Sequence, residues 1–95
     1  MRDAHRIEPR EQVTLSLQLI GGGKGVIRDI SASGLYFETD SEQQVGRLID
    51  FEIELDAPGG PMKFRAQGQI VRIEPLGGRA GVGVKLLASR LVAVE

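Results

Sequence analysis

The chain has 95 residues, enough for one small domain. Lys and Arg number 12 against 13 Asp and Glu, and the resulting net charge of −1 argues against a general nucleic-acid-binding protein, which needs a basic excess for phosphate contacts. Cysteine is absent and histidine occurs once, at His5, so disulfides, thiolate zinc sites and a cysteine nucleophile are excluded, and a histidine-built metal site is not expected.

Residues 1–12 carry three arginines, Arg2, Arg6 and Arg10, and almost nothing apolar. Such a segment buries too little surface to order itself, so we predict a flexible basic arm. The arm lacks the apolar stretch of a signal peptide, and the chain has no apolar run long enough to span a bilayer. We therefore expect a cytoplasmic protein without membrane insertion.

The first half of the remaining chain has the pattern of short β-strands. Apolar and polar residues alternate over 13–19, which is typical of a half-buried strand. Three glycines at 21–23 end this strand, and a second strand over 25–30 completes a predicted hairpin. Residues 29–34 have the composition of a turn, and a third strand is predicted over 35–39.

The second half continues in the same way, with one irregularity. A strand over 49–55 is followed by a predicted loop over 57–61, because that segment is rich in Pro and Gly. Alternation restarts at Met62 but changes phase after Gly68, since Ile70, Val71 and Ile73 follow. No single register accommodates this run. We therefore predict a β-bulge or a barrel corner near Gly68.

The C-terminal part contains one more clear strand, over 81–86, after a turn at 76–78. Residues 87–95 fit a short helix and a strand extension equally well. The chain is thus predicted to be all-β, with an arm over 1–12 and a six-stranded antiparallel barrel over 13–95, because closure removes the exposed sheet edges.

The first group with chemical meaning is the pair Arg6-x-x-x-Arg10, which the pair Arg2-x-x-x-Arg6 overlaps. Guanidinium groups form two-pronged hydrogen bonds to phosphate and stack on planar bases. Pro9 disfavours a helix here, so the spacing does not place both arginines on one helical face. Taken alone, the arginines are better explained as a solvated arm.

The second group is Asp29-x-Ser31-x-x-Gly34, between the second and third predicted strands. A carboxylate can accept hydrogen bonds from the amino edge of a base, and Ser31 adds a small donor and acceptor. Gly34 would allow the backbone to approach a ligand closely. Taken alone, the same residues also suit an ordinary hairpin turn.

Together, the arginine pair, the amphipathic strand, the Gly-rich hairpin and the Asp-x-Ser-x-x-Gly turn resemble the PilZ family over essentially the whole chain. The Gly-Val-Gly-Val-Lys segment at 81–85 is similar to that family's closing strand. The resemblance implies a six-stranded barrel, here with little or no C-terminal helix. Many PilZ domains are receptors for the bacterial second messenger cyclic di-GMP, so the resemblance implies that ligand and no other cofactor.

The resemblance also assigns roles to individual residues. Arg6 and Arg10 would grip the phosphates and stack on guanine, with Arg2 as a further contact from the arm. The turn residues would hold a guanine on the barrel surface: Asp29, Ser31 and Gly34. His5 stands just before the arginine pair, at a position where family members differ and which bears on the number of bound ligand molecules. A histidine there is compatible with one bound ligand molecule or with a stacked pair.

Three other functions compete with this one. An enzyme is disfavoured, because no second histidine, lysine base or metal cluster supports Asp29 and Ser31 as a nucleophile pair. A basic face of Lys63, Arg65 and Arg72 could bind DNA or RNA, but acidic residues are spread over the other strands, and we expect no nucleic acid partner. The serious alternative is an adaptor that binds proteins and no nucleotide. In either case the downstream protein is not named by the sequence.

Overall fold

The computed structural model describes residues 11–93, which form six β-strands and no helix. Strand boundaries follow the predicted pattern to within one or two residues at most ends. In chain order the strands are β1 Glu11–Leu19, β2 Lys24–Ile30, β3 Gly34–Thr39, β4 Leu48–Ala57, β5 Gly60–Leu76 and β6 Arg79–Ala93. None of the described residues belongs to a helix that could cross a membrane.

The strands form a closed antiparallel barrel in the order β1-β2-β3-β6-β5-β4. The chain runs up and down through β1, β2 and β3, and then crosses to β4 on the other side of β1. Pairing of Leu17 with Ile53 and of Leu19 with Phe51 closes the cylinder. The predicted six-stranded antiparallel barrel is therefore confirmed.

The core fills the barrel with one face of each strand. Because side chains alternate across a strand, the apolar set of each amphipathic strand points inward together. The buried apolar residues are Leu17, Leu19, Ile27, Leu35, Phe37, Ile49, Phe51, Ile53, Ala66, Ile70, Val82 and Val84. Thr39 is also buried, and its hydroxyl donates to the carbonyl of Lys24 at 2.6 Å, which satisfies the polar group.

Two bulges of opposite sense interrupt the pairing of β5 with β6. Between Gln67 and Gly68 the register advances one residue on β5 and two on β6, so Leu87 is the additional residue. Between Ile70 and Arg72 the additional residue is Val71 on β5, and its side chain is 54% exposed. The predicted irregularity near Gly68 is confirmed, and Val71 explains the change of phase.

Two segments differ in detail from what the sequence suggested. The predicted loop over 57–61 is a tight hairpin, in which Ala57 pairs with Gly60 and only Pro58 and Gly59 connect the strands. Gly60 has a φ of 124°, which only glycine adopts readily. In the tail, the strand extension left open by the sequence is the one found, since β6 pairs with β5 as far as Ala93.

Candidate functional site

The structure brings Ser31 and Gly34 together in a tight turn between β2 and β3. The backbone N–H of Ser31 donates to the carbonyl of Gly34 at 2.8 Å, and the Ser31 hydroxyl lies 3.4 Å from the same oxygen. Asp29 stands just before this turn, near the end of β2, and is half-buried. The three residues predicted from the Asp-x-Ser-x-x-Gly pattern therefore share one end of the hairpin.

Gly34 is required by packing inside the barrel wall. A Cβ at this position would collide with the carbonyl oxygen of Val84, a backbone atom of β6 that cannot move aside. The N–H of Leu86 donates to the carbonyl of Ser33 at 2.8 Å and ties the turn to the same strand. The close approach that Gly34 permits in this structure is thus to β6, and its expected role toward a ligand stays a prediction.

The first strand enters the barrel beside this turn. In the β1–β2 pairing, Glu11 lies opposite Ile30 and Gln12 lies opposite Asp29. Arg10 directly precedes Glu11 in the sequence. The pairing therefore sets the first described residues of the chain beside the Asp29–Gly34 segment.

Arg2, His5, Arg6 and Arg10 lie outside the described residues, as does the predicted arm up to residue 10.

A groove of about 330 Å³ opens on the barrel surface next to the turn. This volume is at the small end of the range for ligand sites. Residues of β2, β3, β5 and β6 line it, including Asp29, Ser31, Gly34, Tyr36, Arg72 and Lys85. A hollow of about 400 Å³ lies elsewhere on the barrel and contains none of the turn residues; among those that line it are Ile20, Phe51, Arg65 and Arg90.

The groove is built on a row of paired residues that crosses four strands. Asp29 pairs with Tyr36, Tyr36 pairs with Gly83, and Gly83 pairs with Arg72. The row belongs to the outer face of the barrel, since the neighbours of Tyr36 and Gly83 along their strands point into the core. Asp29 near the end of β2 and Arg72 of β5 therefore line the same groove.

Three side chains of this row and its neighbours contact one another. The Tyr36 hydroxyl donates to Oε1 of Glu74 at 2.9 Å. The Arg72 guanidinium lies over the Tyr36 ring, 5.6 Å from its centroid, and its Nε is 3.8 Å from Oε2 of Glu74. Gly81 and Gly83 of β6 pass beneath this cluster, and a Cβ on Gly81 would collide with the Tyr36 hydroxyl. These side chains therefore pack directly on the backbone of β6, which carries no side chains at Gly81 and Gly83.

The environment of Tyr36 raises its pKa above the ordinary value of 10.0. Burial of the phenol is the largest cause, and the hydrogen bond to the Glu74 carboxylate and the negative charges of Glu74 and Glu38 act in the same direction. The Arg72 guanidinium acts in the opposite direction. Tyr36 thus stays protonated at neutral pH and acts as a hydrogen-bond donor.

The basic face considered from the sequence is divided in the structure. Arg65 and Lys63 both contact the carboxylate of Glu52, Lys63 at 3.5 Å, and these contacts hold the pKa of Glu52 below its usual value. Arg72 instead belongs to the groove beside the turn. The three cations do not form one continuous phosphate-binding surface.

Sequence reasoning did not find Tyr36, Glu74 and Lys85 as site residues, and it placed Arg72 in a different surface. The available signal was Tyr36, the sole tyrosine, two positions after Gly34 and on the outward phase of its strand. Within residues 11–93, no three His, Cys, Asp or Glu side chains are grouped so that they could hold a metal ion.

The family model described as PilZ domain matches residues 2–92. The chain belongs to the PilZ domain family. Among solved structures, this PilZ domain is similar to the Bacillus subtilis inhibitor of motility MotI/DgrA, with a TM-score of 0.73 and 18% identity over 93% of the chain. The domain spans 44% of that protein's chain, less than half of its length. No curated protein matches the sequence.

Proposed function

We propose that this PilZ domain is a receptor for cyclic di-GMP, which binds in the groove beside the β2–β3 turn. The proposal depends on one observation above all. The β1–β2 pairing sets Glu11, the residue after Arg10, opposite Ile30, inside the Asp29–Gly34 segment. The strand that follows the arginine pattern in the sequence thus pairs with the strand that leads into the Asp-x-Ser-x-x-Gly turn.

The chemistry of these residues suits a ligand that has both phosphates and planar bases. Arg6 and Arg10 supply guanidinium groups for the phosphates and for stacking on a guanine, with Arg2 as an additional cation. Asp29 accepts from the N–H edge of guanine, and Ser31 contributes a further small polar contact. Binding requires no bond to be made or broken, so we propose a receptor that is not an enzyme.

The energies are sufficient for micromolar affinity, which corresponds to about 8 kcal/mol. Hydrogen bonds to charged groups contribute roughly 1.5–3 kcal/mol each. An arginine stacked on a ring contributes about 0.5–2 kcal/mol. A few such contacts reach the required total after the cost of ordering the arm has been subtracted.

We further propose that ligand binding is relayed to a protein partner through the N-terminal segment that precedes β1. The segment would close over the bound ligand and present a changed surface, which is a coupled ordering and binding step. The similar structure is named an inhibitor of motility. We take from that name only the proposal that the partner is a protein, since an identity of 18% supports a shared fold and no shared pathway.

Isothermal titration with cyclic di-GMP tests the proposal, with GTP and cyclic di-AMP as controls. Arg10→Ala and Asp29→Ala should abolish binding of cyclic di-GMP without lowering the melting temperature by more than a few degrees, because Arg10 is a charged residue and Asp29 is not among the core residues. Arg90→Ala is a matched control, since Arg90 is an exposed arginine that lines the other hollow. It should bind as the unaltered protein does.

The nucleotide-independent adaptor is the other outcome of this experiment. Absence of both binding heat and a ligand-dependent shift in melting temperature, with folded protein, would overturn the receptor proposal. The protein would then belong with PilZ-like domains that bind only other proteins.

A further inference from the structure

We propose that Arg72 is a base-stacking residue of the groove: the outer face of its guanidinium packs against a purine base of the ligand. This inference rests on the proposed function, since it concerns a ligand bound at Asp29 and Ser31. It adds a contact from β5, a strand that carries neither of the two sequence patterns.

The position of Arg72 relative to the turn is set by the register of the barrel. Asp29, Tyr36, Gly83 and Arg72 occupy four adjacent strands in one row. Neighbouring strands are about 4.8 Å apart, so the path along the barrel wall from Asp29 to Arg72 is roughly 14 Å. Gly83 has no side chain to obstruct the row, and the Arg72 side chain passes over it to reach Tyr36. The guanidinium therefore lies over the residue that pairs directly with Asp29.

The guanidinium is held in place but remains open to a ligand. Its Cζ lies over the Tyr36 ring, 5.6 Å from the centroid, and its Nε lies 3.8 Å from Oε2 of Glu74. The Arg72 side chain is nevertheless 62% exposed. A planar guanidinium can stack on rings with both of its faces, so the face turned away from Tyr36 is available to a second planar group.

The hydrogen-bonding state of Arg72 supports the same conclusion. Its Nε lies beyond hydrogen-bond distance of Glu74, and it donates no hydrogen bond to any residue within 11–93. Its N–H groups are therefore turned to solvent at the groove, where the phosphate oxygens or ring nitrogens of a nucleotide can accept them.

Tyr36 gives this arrangement its rigidity. Its hydroxyl is anchored to Glu74 on β5, and its ring lies on the bare backbone of β6 above Gly81. Because Tyr36 already restricts the arginine, less side-chain entropy is lost when a base stacks on it. A purely structural role, in which the cluster only joins β3 to β5, requires no exposed guanidinium face.

The test compares cyclic di-GMP affinity for Arg72→Ala, Arg72→Lys and the matched control Arg65→Ala by isothermal titration. Arg65 is an exposed arginine on the same strand that contacts Glu52 outside the groove. Loss of an arginine–ring stack should weaken binding roughly 2- to 30-fold in Arg72→Ala. Arg72→Lys should show most of this loss, because lysine keeps the charge but has no planar face. Arg65→Ala should bind as the unaltered protein does.

A second measurement distinguishes direct contact between Arg72 and the ligand from a purely structural role of Arg72. The Arg72 Nε–H proton resonance of the unaltered protein should move upfield on saturation with cyclic di-GMP, because a second aromatic ring then covers it. The inference would be overturned if the unaltered protein binds cyclic di-GMP, Arg72→Ala and Arg65→Ala bind it with equal affinity, and the Nε–H resonance does not move. That result would leave the receptor proposal intact. Unaltered protein that does not bind cyclic di-GMP would overturn both.

Discussion

The Arg72 guanidinium lies 5.6 Å from the centroid of the Tyr36 ring, although β3 and β5 are not neighbouring strands. The strand between them is β6, and it contributes Gly81 and Gly83 at the points where the two side chains cross it. A side chain at Gly81 would collide with the Tyr36 hydroxyl, and one larger than alanine at Gly83 would displace the Arg72 side chain. The Gly-Val-Gly-Val sequence therefore forms the floor of the groove on its outer face while Val82 and Val84 fill the core on its inner face.

Tyr36 is the sole tyrosine of a chain without tryptophan, so its ionisation can be observed directly. Its pKa is raised above 10.0 by burial and by Glu74, so the absorbance change of phenolate formation should have its midpoint above pH 10. Since the folded-state pKa exceeds the unfolded one, this group's contribution to stability is complete below pH 10 and is lost as the pH rises through the folded value.

In Glu74→Gln the midpoint should move down but stay above the ordinary value, because burial remains and the carboxylate charge does not. A midpoint in the unaltered protein at or below pH 10 would contradict the contacts described for Tyr36.

Two glycine substitutions should have different effects on stability. Gly34→Ala places a methyl group against the Val84 carbonyl oxygen, and such overpacking costs about 1–3 kcal/mol. Gly83→Ala should cost much less, because its Cβ meets the Arg72 side chain at an ordinary contact distance of 3.5 Å. Urea denaturation of both variants measures the difference in free energy of unfolding, and equal values would show that Gly34 is not held against β6.

The relay through the N-terminal segment makes a prediction about hydrogen exchange. Amides of residues 2–10 should gain protection when cyclic di-GMP is bound, because the arginines must settle on the ligand. Core amides of β3 supply an internal reference that the ligand should hardly affect. Equal protection of residues 2–10 with and without bound ligand would remove the proposed relay but not the binding site.

Much of the barrel was predictable, because period-2 alternation reports directly which face of a strand is buried. The phase change after Gly68 likewise located the bulge region, since an additional residue such as Val71 must reverse the alternation. The tail was ambiguous because residues 87–93 have exposed positions on both faces, which gives neither helical nor strand periodicity a clear advantage. Pairing with β5 over this length decides in favour of the strand.

The candidate site was predictable only where its residues are close in sequence. Ser31 and Gly34 form one turn and Asp29 stands just before it, so their spacing alone indicated that they lie close together. The contact between Tyr36 and Arg72 depends on the order of strands and on the register of β6 with both neighbours. Neither quantity is encoded in local spacing.

The most direct test of the central claim is an amide chemical-shift map of the ¹⁵N-labelled protein titrated with cyclic di-GMP. The account predicts that the largest changes fall on residues 29–34 and extend along the row to Gly83 and Arg72. Changes concentrated around Ile20, Phe51 and Arg90, which line the other hollow, would contradict it, as would an unchanged spectrum at millimolar ligand.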